Sequence, residues 1–255
     1  MKHRPVSERL ETRLGPLALR SSGRGPTLVF FAGALANHDL WRDVVTALED
    51  RYRCITIDLP LGAHPWPLSA GGDRSATSLA RLLLDCLELL DVDDATVVAN
   101  DTAGGLLLLS LATGHPALER VSRLVLTNCD NYDQFPPDAL KKGAAVGRAL
   151  PRLARALLRL QLRSSSGRRK IVSGVAASGL DHEREESFSG PALRDRRVAD
   201  DLVARLLPDH RRATTRIGVP LRHTGLRSRS KTWVPIDNPA VVADAMIKFV
   251  PTPAP

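Results

Sequence analysis

The sequence predicts an α/β protein: a mostly parallel sheet flanked by helices, with a helical cap inserted late in the chain. Three observations predict it. Four short apolar runs recur in the first half, at residues 27–31, 53–57, 95–99 and 123–127. Helical patterns fill the intervals between them. From residue 131 to about 212 the strand signal stops. Runs this short and apolar on both faces suit strands buried in a parallel sheet. Their alternation with helices places helices on both faces of that sheet.

In chain order, residues 10–20 supply a strand pair with a turn at Gly15-Pro16. TLVFF (27–31) is the first parallel strand and ends at Ala32-Gly33. Residues 39–48 form a helix. RCITI (53–57) is the second strand, ending at Asp58-Leu59-Pro60. In residues 75–90, Leu79, Leu82, Leu83, Leu87 and Leu90 fall at i, i+3, i+4, i+8 and i+11, one face of a helix. ATVVA (95–99) is the third strand, residues 104–113 the next helix, and RLVLT (123–127) the fourth strand. Helices are then expected over 144–162 and 190–207, with a Ser/Gly turn at 164–167. A short strand over 217–222 and a helix over 239–250 close the chain. The expected division is a core at 1–130, a cap at 131–212 and the rest of the core at 213–255.

Of the 255 residues, 43% are hydrophobic and 25% charged. These values exclude a largely disordered chain. The longest apolar stretch, 106–112, is broken by Ser110 and too short for a membrane span. Residues 1–11 lack the apolar centre of a secretory signal. Cys54, Cys86 and Cys129 are isolated, with no CxxC pair. A disulfide framework and a zinc site are therefore not expected, and a reducing, cytoplasmic setting is. No cofactor or metal is expected. The net charge of +8 is local: residues 141–170 hold ten basic residues and no acidic ones, and in the rest of the chain acids outnumber bases by two. Such a distribution argues against a general nucleic-acid binder.

The feature that points to chemistry is Ala99-Asn100-Asp101-Thr102-Ala103, between an apolar strand and a helix. A sharp strand-to-helix turn needs small residues on both sides, because larger side chains collide with the neighbouring backbone. The central residue, Asp101, is then pushed outward at the helix N-terminus. On this elbow, the strand order and the Ala32-Gly33-Ala34 turn, the chain resembles the α/β-hydrolase family, in the branch whose nucleophile is Asp rather than Ser. That branch includes haloalkane dehalogenases and epoxide hydrolases. The resemblance covers residues 10–137 well, the cap loosely, and 232–250 again. It implies that Asp101 attacks an electrophilic carbon to form an ester. It also implies that the N–H groups of Ala34 and Thr102 form the oxyanion hole.

Hydrolysis of such an ester needs a base, normally a His oriented by a carboxylate. In Lys231-Thr232-Trp233-Val234-Pro235-Ile236-Asp237-Asn238-Pro239, which resembles the segment carrying the family His, Thr232 stands in its place. The fourteen positions between Arg216 and Lys231 are too few for the usual strands, helix and acid-bearing loop. His223, just after the 217–222 strand, is the candidate replacement base. Asp130, past the fourth strand, is the candidate orienting acid, with Asn128 beside it as an alternative. His38 and His64 lie in loops at the same sheet edge, and His182 and His210 in the cap.

Asn37, His38, Trp41, Asn100 and Asn128 are candidate substrate contacts. Thr102 and Ala34 stand where dehalogenases of the family carry halide-binding Trp and Asn. Of the two tyrosines, Tyr52 and Tyr132, only Tyr132 falls in the cap, where epoxide hydrolases use a pair. The expectation is thus a hydrolase of a small, apolar substrate. The alternatives are a catalytically impaired homologue that binds a small ligand, and an interaction module. The last rests on Arg148, Arg152, Arg155, Arg159 and Arg163, which recur along one side of a helix with leucines on another. No nucleic acid is expected as a partner, since no aromatic residue interleaves these arginines.

Overall fold

The structure is a computed structural model that describes residues 7–129, 150–206, 232–250 and 252. Strands β1 (Glu8–Thr12), β2 (Gly15–Ser22), β3 (Thr27–Phe31), β4 (Arg53–Ile57), β5 (Ala95–Asn100) and β6 (Val121–Thr127) form one sheet in the order β1-β2-β4-β3-β5-β6. The pairs β1·β2 and β2·β4 are antiparallel; β4·β3, β3·β5 and β5·β6 are parallel. The parallel part is the one expected from the four apolar runs. Thr12 pairs with Gly15, so the first turn lies at Arg13-Leu14. Gly15-Pro16, expected to turn, instead begins β2.

The core helices are α1 (Arg42–Leu48), α2 (Ala76–Leu89) and α3 (Thr102–Ser110). Ser75 caps α2 by accepting the Ser78 N–H (3.2 Å), the usual device for the unpaired donors of a first turn. After β6 the described chain is helical: α4 (Pro151–Arg163), α5 (Ser165–Val175), α6 (His182–Arg194) and α7 (Arg196–Leu206), then α8 (Val234–Asp237) and α9 (Pro239–Phe249). The expected 164–167 turn is instead a helix start, because Ser164 Oγ accepts the Gly167 N–H (2.9 Å) and caps α5. The helix expected over 190–207 is two helices broken at Asp195, whose carboxylate accepts the Arg197 N–H (2.9 Å) and so opens α7. The expected 217–222 strand lies outside the described residues. Among those residues no strand follows β6.

Alternate strand residues feed two cores. Val29, Phe31, Ile55, Ile57, Val97 and Ala99 pack with α2 and α3. Leu28, Phe30, Cys54 and Val98 pack on the other side with Trp41, Leu48, Trp233 and Met246. Every residue of β5, which lies between β3 and β6, is buried. Tyr52 Oη donates to Val250 O (2.8 Å) and pins the end of α9 to the core. None of the three cysteines is in a disulfide. No described helix is long and apolar enough to cross a membrane.

The late helices are bound to the core by polar contacts. Arg184 of α6, buried, donates to Asp39 O (3.2 Å) and Asp43 Oδ2 (2.6 Å). Asp201 of α7, also buried, sits against His64, Arg74 and the Leu68 N–H of the segment after β4.

Candidate active site

β5 ends at Asn100 and α3 begins at Thr102, so a single residue, Asp101, makes the turn. Its backbone is at φ 53°, ψ −131°, a conformation non-glycine residues rarely adopt. Fully buried Ala99 and Ala103 provide the clearance on either side. The Asp101 carbonyl accepts the Gly104 N–H (2.9 Å), which locks the start of α3. Gly104 itself has no room for a side chain, since a Cβ there would collide with Cys129 Sγ. The Asp101 side chain is half-buried at the carboxyl end of the parallel strands.

The Asp101 Oδ2 accepts the Ala34 N–H (3.2 Å) and lies 3.5 Å from Thr102 Oγ1. Both residues expected at the oxyanion hole therefore touch the carboxylate. Thr102 opens α3, so its N–H belongs to the first turn, where donors point out of the helix. Gly33 makes this approach possible. A Cβ at Gly33 would lie 2.5 Å from Asp101 Oδ2, 2.7 Å from Asp101 Cβ and 2.9 Å from Asn100 O. We expect Gly33→Ala to displace the loop and lower the rate of any reaction at Asp101 by about a hundredfold, the scale of losing one oxyanion donor. The rate of adduct formation checks this, and a parental rate would mean the contact is too loose to matter.

Several expected substrate contacts have other roles. Trp41 is fully buried, its ring centroid 5.1 Å from that of Phe30, so it is a core residue. Asn100 is also fully buried: its Nδ2 donates to Thr127 O (2.7 Å), Thr127 Oγ1 (3.1 Å) and Thr232 O (2.9 Å), tying β5 to β6 and to the segment before α8. Asn37 is buried as well. Its Oδ1 accepts the Asp39 N–H (3.1 Å), while its Nδ2 donates to Ala63 O (3.2 Å) and Ser187 O (3.0 Å), which bridges the loop after β3 to α6. These three face inward because each lies where the chain already packs on a second element. Asn128 follows β6 at φ 43°.

His38 belongs to a pair that sequence reasoning missed. Its Nδ1 lies 3.1 and 3.0 Å from the two carboxylate oxygens of Asp58, and its N–H donates to Asp58 Oδ1 (2.7 Å). Asp58 directly follows β4, at the same sheet edge, and this placement was the available signal. Asp130 and His223, the expected acid and base, lie outside the described residues, as do Tyr132 and His210. His182 is exposed at the start of α6, and His64 is buried against Asp201. Thr232, in the place expected for the base, is brought to the elbow by its bond from Asn100.

A small open pocket lies among the late helices and the loop after β3. Its apolar lining includes Leu35, Ile171, Val172, Leu180, Phe188 and Trp233, with the paired Arg168 and Glu185 at its wall. Leu35 follows Ala34 and Trp233 follows Thr232, so two lining residues are chain neighbours of groups that touch Asp101 or Asn100.

The carboxyl end of the parallel strands thus carries a strand-elbow-helix turn that presents a carboxylate beside a backbone donor, with an apolar pocket near it in the chain. A family model described as alpha/beta hydrolase fold matches residues 26–170. The chain belongs to that family and is thereby placed among hydrolases. Its fold is shared with solved structures of low sequence identity. The epoxide hydrolase CorEH, without ligand, has a TM-score of 0.74 at 16% identity, over 96% of this chain and 98% of its own. An alpha/beta hydrolase fold protein from Burkholderia ambifaria gives 0.74 at 18%, over 96% and 99%. The naproxen esterase (carboxylesterase NP) from Bacillus subtilis gives 0.69 at 18%, over 97% and 92%.

Proposed function

We propose that the protein hydrolyses a small, predominantly apolar substrate through an ester formed on Asp101. The observation that carries this reading is the Asp101 carboxylate, held at a strained elbow with Oδ2 against the Ala34 N–H. Oδ1 attacks an electrophilic carbon of the substrate, the bond to the leaving group breaks with its electron pair, and an alkyl ester remains. Water then adds to Cγ. The negative charge of that addition develops on Oδ2, which already faces the Ala34 N–H and the Thr102 hydroxyl. Collapse breaks the Cγ–Oδ1 bond and releases the alcohol. The product keeps Oδ1, and the regenerated carboxylate keeps one oxygen of water.

The apolar lining of the pocket supports an apolar substrate body. The proposed base and acid remain His223 and Asp130, with the His38–Asp58 pair as a second histidine already oriented by a carboxylate. Thr232 at the usual base position favours a second reading, in which ester formation outlasts hydrolysis.

Mass spectrometry after incubation with alkyl halides, epoxides and esters separates the two. Rapid turnover in water labelled with ¹⁸O, with the label entering Asp101 in a single turnover, supports the full cycle. A stable adduct on Asp101 supports the impaired form. Absence of both across the panel would overturn the aspartyl-ester reading.

A further inference from the structure

Helix α4 has two unlike faces. Inward, Leu162 is buried and lines the pocket, and Arg159 donates to the carbonyls of Ala192 (2.9 Å) and Leu193 (3.3 Å) in α6. Outward, Leu153, Leu157 and Leu160 recur at i, i+4 and i+7, with Leu150 one turn earlier, and all four are 46 to 64% exposed. They are half of the large hydrophobic side chains exposed among the described residues. Single exposed leucines are ordinary; three in a stripe on one helix, with a fourth at its N-cap, are not. At helical spacing, Arg152 and Arg163 run along one border of the stripe, and both are exposed. Arg169 and Lys170, exposed on α5, extend the positive charge.

We propose that this face docks on an anionic lipid surface, with the leucines entering the headgroup boundary and the arginines meeting lipid phosphates. The combination is that of a helix lying in a membrane interface: an apolar stripe, a basic border, and no acidic residue in the thirty positions of 141–170. Charge also selects among occupants. A second copy packed on the same stripe would set one row of arginines against another. A surface for single-stranded nucleic acid needs aromatic platforms, and α4 has none. The inference stands apart from the chemistry at Asp101.

Flotation of the full chain with phosphatidylcholine vesicles, with and without phosphatidylglycerol, tests it. Binding is expected only with the anionic lipid, and is expected to weaken as salt rises. The double variant Leu157→Asp/Leu160→Asp should lower the bound fraction by more than about tenfold while keeping the parental circular dichroism. If that variant misfolds, Arg152→Gln/Arg163→Gln keeps the leucines and should flatten the salt dependence. Equal binding to both vesicle types, or none, overturns the proposal. So does a dimer that the leucine variant dissolves, which would make a second copy the occupant, or preferential binding of RNA over anionic vesicles.

Discussion

Asp101→Gly is expected to raise the melting temperature while eliminating hydrolysis. Asp101 is held at φ 53°, ψ −131°. Holding a non-glycine residue in such a region costs about 1–3 kcal/mol. Glycine adopts it without that cost but adds about 0.5–1 kcal/mol of chain entropy to the unfolded state. The balance favours the variant by about 1 kcal/mol, or about 2–4 °C for a chain of this size. On the proposed reaction, turnover should fall by at least about a thousandfold, since glycine has no carboxylate to form the ester. Thermal unfolding and product formation, measured on one preparation, check both halves. A drop of several degrees would mean that the carboxylate's contacts outweigh the strain, and retained turnover would remove Asp101 from the chemistry.

Asp201→Ala is expected to cost the most stability of any substitution considered. The Asp201 side chain is buried and joins α7 to the core through His64 Nε2 (3.1 Å), the Leu68 N–H (2.9 Å) and Arg74 Nε (2.6 Å). His64 Nδ1 accepts the Gly62 N–H (3.3 Å), so its proton sits on Nε2 and is donated to Asp201. Alanine would leave these donors and the Arg74 charge without their acceptor, at a cost of about 3–5 kcal/mol. Burial alone would raise the Asp201 pKa. The hydrogen bonds from His64, Leu68 and Arg74 outweigh it and hold the carboxyl below its ordinary value. The sign follows from that direction. The unfolded chain binds the proton first, so the contribution is complete above the ordinary carboxylate pKa of about 3.9 and is lost as pH falls below it, through the depressed folded value. Denaturant unfolding of parent and Asp201→Ala from neutral to acid pH should therefore converge at the acid end. A constant gap across that range would assign the stabilisation to packing.

The strands β3, β4 and β5 were legible because their residues are apolar on both faces; β6 reads the same way, yet it lies at the sheet edge among the described residues and none of its residues is buried. The errors share a physical origin. Serine and glycine favour turns and helix N-caps alike, so Ser164–Gly167 read as a loop and is the start of α5. Asp195 breaks a pattern whose apolar spacing runs on through it. At the site, the alanines on either side of Asp101 announced the elbow. What the sequence could not show was which way a residue at a strand end or in a loop faces. Asn100, Trp41 and Asn37 lie beside the site in sequence yet turn inward. The His38–Asp58 pair was hidden for another reason: its members are twenty positions apart and meet only because β3 and β4 are neighbours in the sheet.

The loop that carries Ala34 is held at both ends. Gly33 is pressed against Asp101 on one side, and Asn37 is anchored to Ser187 of α6 on the other. Only two residues, Leu35 and Ala36, separate Ala34 from Asn37, too short a tether to absorb slack. On the proposed reaction, any displacement of α6 would therefore pull on the backbone that carries the Ala34 N–H.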